Sequence, residues 1–195
     1  MLRKNGFAVT ALFNGSNNDT DIYTDMRVMM GNATNVSLPT TDLLNNDALL
    51  WRVPVTAYQA KFDEMKAQGY RPAVIEGYQI GTTAYFDLVF RKDGIASIAF
   101  HGLTAAQYQA KFNEVCTPYT GFDLSNVTNY AYNGQLYYAG VFTKTNNPNY
   151  KAHHNQTEAS FNTQHATNLQ AGYKLVQGAK TKIGNTTYIC SIYSK

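Results

Sequence analysis

The chain has 195 residues, 16 Lys and Arg against 13 Asp and Glu, a formal charge of +3 and only 15% charged residues. That length suits one ordinary domain or a few small repeats, and the basic residues are scattered, never denser than "LRK" or "FRK", which excludes a nucleic-acid footprint. Cys116 and Cys190 are too few for a disulfide framework and fit no zinc spacing, and no stretch reaches the roughly 18 apolar residues of a membrane span.

The chain opens on "MLRKNGFAVTALFNGS", which imitates a signal peptide through Arg3 and Lys4 before a short apolar run. Thr10 interrupts that run and no small-residue cleavage site follows, so "GFAVTALF" (6–13) reads as a strand, the last of an incomplete copy of the repeat described below. Residues 14 to 46 are polar and rich in Asn, Asp and Thr. Oxygen side chains at Asn17, Asp19 and Asp21 imitate a calcium loop, but the closing bidentate Glu is missing, and a turn-forming loop is expected. Residues 1–50 are therefore read as an N-terminal strand and polar segment.

From residue 50 onward the chain repeats itself. "AYQAKFDEM" (57–65) returns as "QYQAKFNEV" (107–115), and a further step reaches "SFNTQHATN" (160–168). Tyr58, Tyr108 and Phe161 share one position, and Gly69, Gly121 and Gly172 another. At the chain end Tyr85, Tyr137 and Tyr188 coincide, as do Lys92, Lys144 and Lys195, at spacings of 51 to 52 residues. A fixed period of this size marks an array of supersecondary units. Boundaries at 51–100, 101–152 and 153–195 follow for the three copies.

Each copy has a physical reading. Thr56 with Gln59, and Thr104 with Gln107, have capping-box spacing, in which hydroxyl and amide satisfy free backbone groups at a helix start. Tyr58, Phe62 and Met65, and Ala105, Tyr108, Phe112 and Val115, fall at the three-four spacing of an amphipathic helix. Gly69 and Gly172 supply left-handed stops. "AVIEGYQI" and "TAYFDLVF" around a Gly81 turn then read as a hairpin, with "IASIAF" as a third short strand leading to the next helix. The fold class expected is α+β: three tandem repeats of a helix plus an antiparallel meander.

The strings "HGLTAAQYQAKF" and "YQAKFDEMKAQGYRP", with the Gly-Tyr stop and the hairpin closing on an aromatic, one variable residue and Lys, resemble the bacterial tandem repeat domain family over roughly residues 50 to 195. The resemblance implies curved half-barrels of antiparallel strands around helices. It also implies a secreted module that often stands beside a serine-hydrolase domain of the β-lactamase-like kind, as in fungal polyglycine hydrolases, and that serves recognition. The chain departs from a uniform pattern where Trp51 replaces His101 and His154, and where His165 replaces Phe62 and Phe112.

Tests for chemistry fail at the level of residues. None of the seven serines has Lys three positions on, and no Gly-x-Ser-x-Gly elbow exists. Cys116 with His101 or His165 is the one conceivable nucleophile and base pair, but no other copy has cysteine there, and Cys190 falls at a strand packing position. His153, His154 and His165 lack the four-residue helical spacing of metal ligands and read as helix-entrance or core residues. No catalytic residue, metal or cofactor is expected.

What remains is binding. The 15 Tyr, 10 Phe and one Trp suit a secreted binding domain, although strand-rich packing accounts for them about as well. Tyr85, Tyr137, Tyr138 and Tyr188 on the closing strands are the candidate ligand contacts, with His101 and His154 at the repeated helix entrance. Seven Asn-x-Ser/Thr sequons, at Asn14, Asn18, Asn32, Asn35, Asn126, Asn155 and Asn185, favour an extracellular, glycosylated protein. The sequence thus predicts a non-catalytic extracellular module for a polysaccharide or protein partner. The targeting half of a hydrolase whose catalytic domain lies elsewhere, and a self-associating structural unit, are the alternatives.

Overall fold

The computed structural model describes residues 2–4, 7–9 and 47–195. Strands β1 (Leu2–Lys4) and β2 (Phe7–Val9) pair antiparallel, with Leu2 opposite Val9. The expected N-terminal strand is thus present over 7–9, as one arm of a short hairpin. Its remainder, the Asn17/Asp19/Asp21 loop, and the sequons at Asn14, Asn18, Asn32 and Asn35 lie outside the described residues.

Three similar units follow. The first comprises β3 (Asp47–Pro54), α1 (Tyr58–Ala67), β4 (Arg71–Ile80) and β5 (Thr83–Arg91). The second comprises β6 (Ser97–Leu103), α2 (Ala105–Val115), β7 (Phe122–Tyr132) and β8 (Gln135–Lys144), and the third β9 (Tyr150–Gln156), α3 (Glu158–Gln170), β10 (Lys174–Ile183) and β11 (Thr186–Ser194). Each unit has its own three-stranded antiparallel sheet, ordered β3-β5-β4, β6-β8-β7 and β9-β11-β10. "IASIAF" pairs forward, Ile98 opposite Phe142, so the unit is strand, helix, hairpin, and the strand order is not that of a sequential meander. The helix spans the sheet and returns the chain on the far side, which leaves the hairpin's second strand in the middle. A β-bulge recurs at the same place in each hairpin, between Pro72 and Val74, Leu124 and Asn126, and Leu175 and Gln177.

Local chemistry fixes these elements. Thr104 and Gln107 form the expected capping box: the Thr104 N–H donates to Gln107 Oε1 at 2.9 Å and the Gln107 N–H to Thr104 Oγ1 at 3.4 Å. Thr56 and Gln59 do not. Pro54 leads into a 3-10 turn over Val55–Ala57, the cap passes to Ala57 without a side-chain bond, and Gln59 Nε2 donates to Asp63 Oδ1 instead. Gly69 (φ 83°) and Gly172 (φ 80°) stop α1 and α3, with the Tyr70 and Tyr173 N–H groups reaching back to the Met65 and Asn168 carbonyls. Asn133 and Gly134 both take positive φ, which matches the twist of the β7–β8 hairpin.

The cores span the units. Tyr58 and Met65 of α1 pack with Phe86, Leu88 and Phe90 of β5, and Tyr130, Ala139 and Val141 of the second sheet close the same cluster. Tyr108 and Val115 of α2 pack with Leu124, Tyr138 and Phe142, and Cys190 and Ile192 of the third sheet close that one. Strand alternation makes this possible, because one face of the second and third sheets serves their own helix and the other covers the preceding unit.

Candidate functional site

The seams between units are polar as well as apolar. Asn126 Oδ1 accepts the Ile75 N–H at 2.9 Å, and Thr128 Oγ1 accepts the Gly77 N–H at 3.2 Å. One unit later Gln177 clasps Val127 through both amide atoms, accepting its N–H at 3.1 Å and donating to its carbonyl at 2.6 Å. Thr181 Oγ1 donates to the Asn129 carbonyl, and Asn129 Nδ2 donates to the Tyr188 carbonyl. β4 and β7 are edge strands of their sheets, and neighbouring side chains satisfy backbone groups that would otherwise need water. Close approach depends on Gly77, where a Cβ would lie 2.6 Å from Tyr130 Cδ1.

This arrangement places the residues proposed for binding. Tyr138 is fully buried in the second core and donates to Asn155 Oδ1 at 3.4 Å. Tyr137 packs half-buried in the first seam beside Tyr130 and Tyr132, and Tyr188 is half-buried at the second. Tyr85 stacks on Tyr78 with Arg52 over its ring, on the face of the first sheet turned from α1. These four tyrosines therefore do not form one surface. Of the sequons, Asn126 is 5% exposed with its amide held in the seam, which closes it to a glycan in the folded chain, whereas Asn155 and Asn185 are exposed.

His101 and His154 are wedges between units. The His101 ring sits 4.1 Å from Tyr58 of the preceding helix and 5.9 Å from Phe86, and the His154 ring sits 4.8 Å from Tyr108 and 5.5 Å from Tyr138. Burial holds both imidazoles below the ordinary histidine range. His101 Nδ1 is buried without a hydrogen-bond partner, and His154 is bonded to the Ala105 backbone.

The third unit breaks the pattern of the other two. Where the second has Phe100, Phe112, Val115, Gly140 and Phe142, the third has His153, His165, Asn168, Ser191 and Tyr193. Asn168 is completely buried: Nδ2 donates to His153 Nε2 at 3.1 Å, while Oδ1 accepts from Gln164 Nε2 at 3.2 Å and Lys151 Nζ at 3.4 Å. His165 Nδ1 is hydrogen-bonded to the Tyr193 hydroxyl at 3.1 Å. Lys151 and Lys195 both lie over the Tyr173 ring, at 4.4 and 4.6 Å. His153, His154 and His165 are thus engaged with a tyrosine or asparagine each, and no group of three His, Cys, Asp or Glu able to hold a metal lies among the described residues.

Sequence reasoning passed over one residue of a different kind. Tyr119 is 98% exposed, in the loop between α2 and β7, where the sequence carries a two-residue insertion relative to the first unit. The loop is tied down by Thr120, whose hydroxyl donates to the Val115 carbonyl at 2.5 Å. The signal was there, since insertions into a repeat map to loops on one face, often the binding face. Trp51, 40% exposed on β3, is the other uncovered large aromatic of the first two units.

Reactive groups are committed to packing. The Cys190 thiol is fully buried and pushed up to about 12, and burial also raises Cys116, so neither is a ready thiolate; both are free of disulfide bonds. Among the described residues no helix is long and apolar enough to cross a membrane. Strand, helix and hairpin repeated three times, with cores shared across the seams, define a mixed α/β tandem-repeat protein. The family model for polyglycine hydrolase-like structural repeats matches three consecutive segments, 50–93, 94–145 and 147–188, and the chain belongs to that family. No curated protein matches it.

Proposed function

We propose that this chain is a non-catalytic extracellular recognition module for a polysaccharide or a protein, its sheets curving as half-barrels around the helices. The observation that carries the reading is Tyr119, a nearly fully exposed aromatic on a loop pinned by Thr120. An exposed tyrosine on a tethered loop offers both a stacking face and a hydroxyl. The exposed sequons at Asn155 and Asn185 fit a secreted setting, and the committed thiols and histidines fit a module without chemistry of its own.

The test is binding of the intact chain to a panel of glycans and insoluble polysaccharides, with Tyr119→Ala as control. Tyr138 is unsuited to that purpose because its loss would damage the core. Saturable binding lost in Tyr119→Ala supports the reading; binding unchanged by it moves the contact elsewhere, and silence across the panel removes the carbohydrate partner. The family description favours a second reading, in which the repeats target a hydrolase encoded in another chain or domain. Self-association is the third, and concentration-dependent light scattering tests it.

A further inference from the structure

All four histidines of the chain sit where elements meet, each against a tyrosine ring. His101 bridges the first and second units against Tyr58, His154 bridges the second and third against Tyr108, and His153 and His165 flank Tyr193 inside the third. Three of the four therefore belong to the third unit, which has polar groups where the second unit has an apolar core.

We infer that the array is acid-responsive: protonation of His101 and His154 opposes the contacts at the two seams, and protonation of His153 opposes the hydrogen-bonded core of the third unit, so the fold loosens as pH falls. The geometry around His153 is the strongest ground. Asn168 Oδ1 already takes donors from Gln164 and Lys151, so its amide must present N–H to His153 Nε2, which accepts only when the ring is neutral there. A proton on that nitrogen sets donor against donor. Turning the amide over would satisfy His153 and leave Gln164 and Lys151 facing an NH₂ group. At the first seam, His101 Nδ1 is buried with nothing to receive a proton's hydrogen bond.

Among the described residues, none of the ring contacts and hydrogen bonds of these histidines is to a carboxylate. His101 meets Tyr58 of α1 and Phe86 of β5; His153 meets Asn168 of α3, Tyr193 of β11 and the Lys151 ammonium of its own strand, which opposes a second positive charge. His154 meets Tyr108, Tyr138, the Ala105 backbone and His153, and His165 meets Phe161 and Tyr193. Burial holds His101, His153 and His154 below the ordinary histidine value. With folded values below the unfolded ones, their stabilising contribution is complete above about pH 6.5 and is lost as pH falls through the folded values.

The test is a proton NMR titration of the imidazoles in the intact chain, paired with urea unfolding between pH 7.5 and 5. Each histidine that stays neutral in the fold costs the folding equilibrium about tenfold per pH unit below its unfolded value. We expect His101, His153 and His154 to titrate below 6.5, and His153→Phe/Asn168→Val to flatten the pH dependence of unfolding. Titration of His101, His153 and His154 at or above 6.5 in the folded chain would overturn the inference, and so would an unchanged slope in a folded variant. The titration decides the matter if the variant fails to fold.

Discussion

The second and third units share one backbone plan and differ in what fills it. Val115 of α2 packs in one core with Phe142 of β8, and Cys190 and Ile192 of the third sheet close that core. α3 brings the buried Asn168 to the sheet that carries Tyr193, and among the described residues no further sheet covers them. An apolar core gains from cover on both sides, whereas a hydrogen-bonded one keeps its polar groups satisfied with less apolar cover. β10 carries the same difference. Lys180 occupies the position of Gly77 and Asn129, which in their units lie against the next sheet.

Mutation can break or sharpen this contrast. The largest effect is expected for Phe142→Ala, a cavity in the covered core, at about 3–5 kcal/mol in urea denaturation. Asn168→Ala in the third unit should cost about 1–3 kcal/mol, because it strips partners from His153, Gln164 and Lys151. The same range is expected at the seam for Asn126→Ala, which leaves the buried Ile75 N–H unpaired. Tyr193→Phe makes the third core more like the second and removes the hydroxyl bonded to His165, for a loss of about 0.5–1.5 kcal/mol. The smallest contrast concerns the caps: Thr104→Ala should lose about 1 kcal/mol of stability, whereas Thr56→Ala, whose hydroxyl caps nothing, should change the midpoint little.

Much of this fold was legible in the sequence because its strongest signal was self-similarity. Recurrence of Tyr58 at Tyr108, and of Gly69 at Gly172, carried the helices and their stops without recourse to propensity. The strand Ser97–Leu103 was visible as a strand, but its partner was not, since alternation within one strand says nothing about which hairpin it joins. The surroundings of the tyrosines were hidden for a related reason: recurrence of Tyr85, Tyr137 and Tyr188 marks a shared strand position and not its neighbours, and Tyr137 packs against the core of the first unit. Lys92 and Lys195 teach the same lesson: their stems pass over Gly69 and Gly172, and their ammonium groups rest on Tyr70 and Tyr173. The informative positions were those that differ between copies, the Asn168 cluster and the Tyr119 insertion.

The central claim is that cover by the following sheet sets the character and strength of each core. Native-state hydrogen exchange at neutral pH, resolved by strand, tests it most directly. The account predicts the slowest exchange in β8, under both α2 and the third sheet, and markedly faster exchange in β9 and β11. Equal protection across β8 and β11, or greater protection in β11, would contradict it.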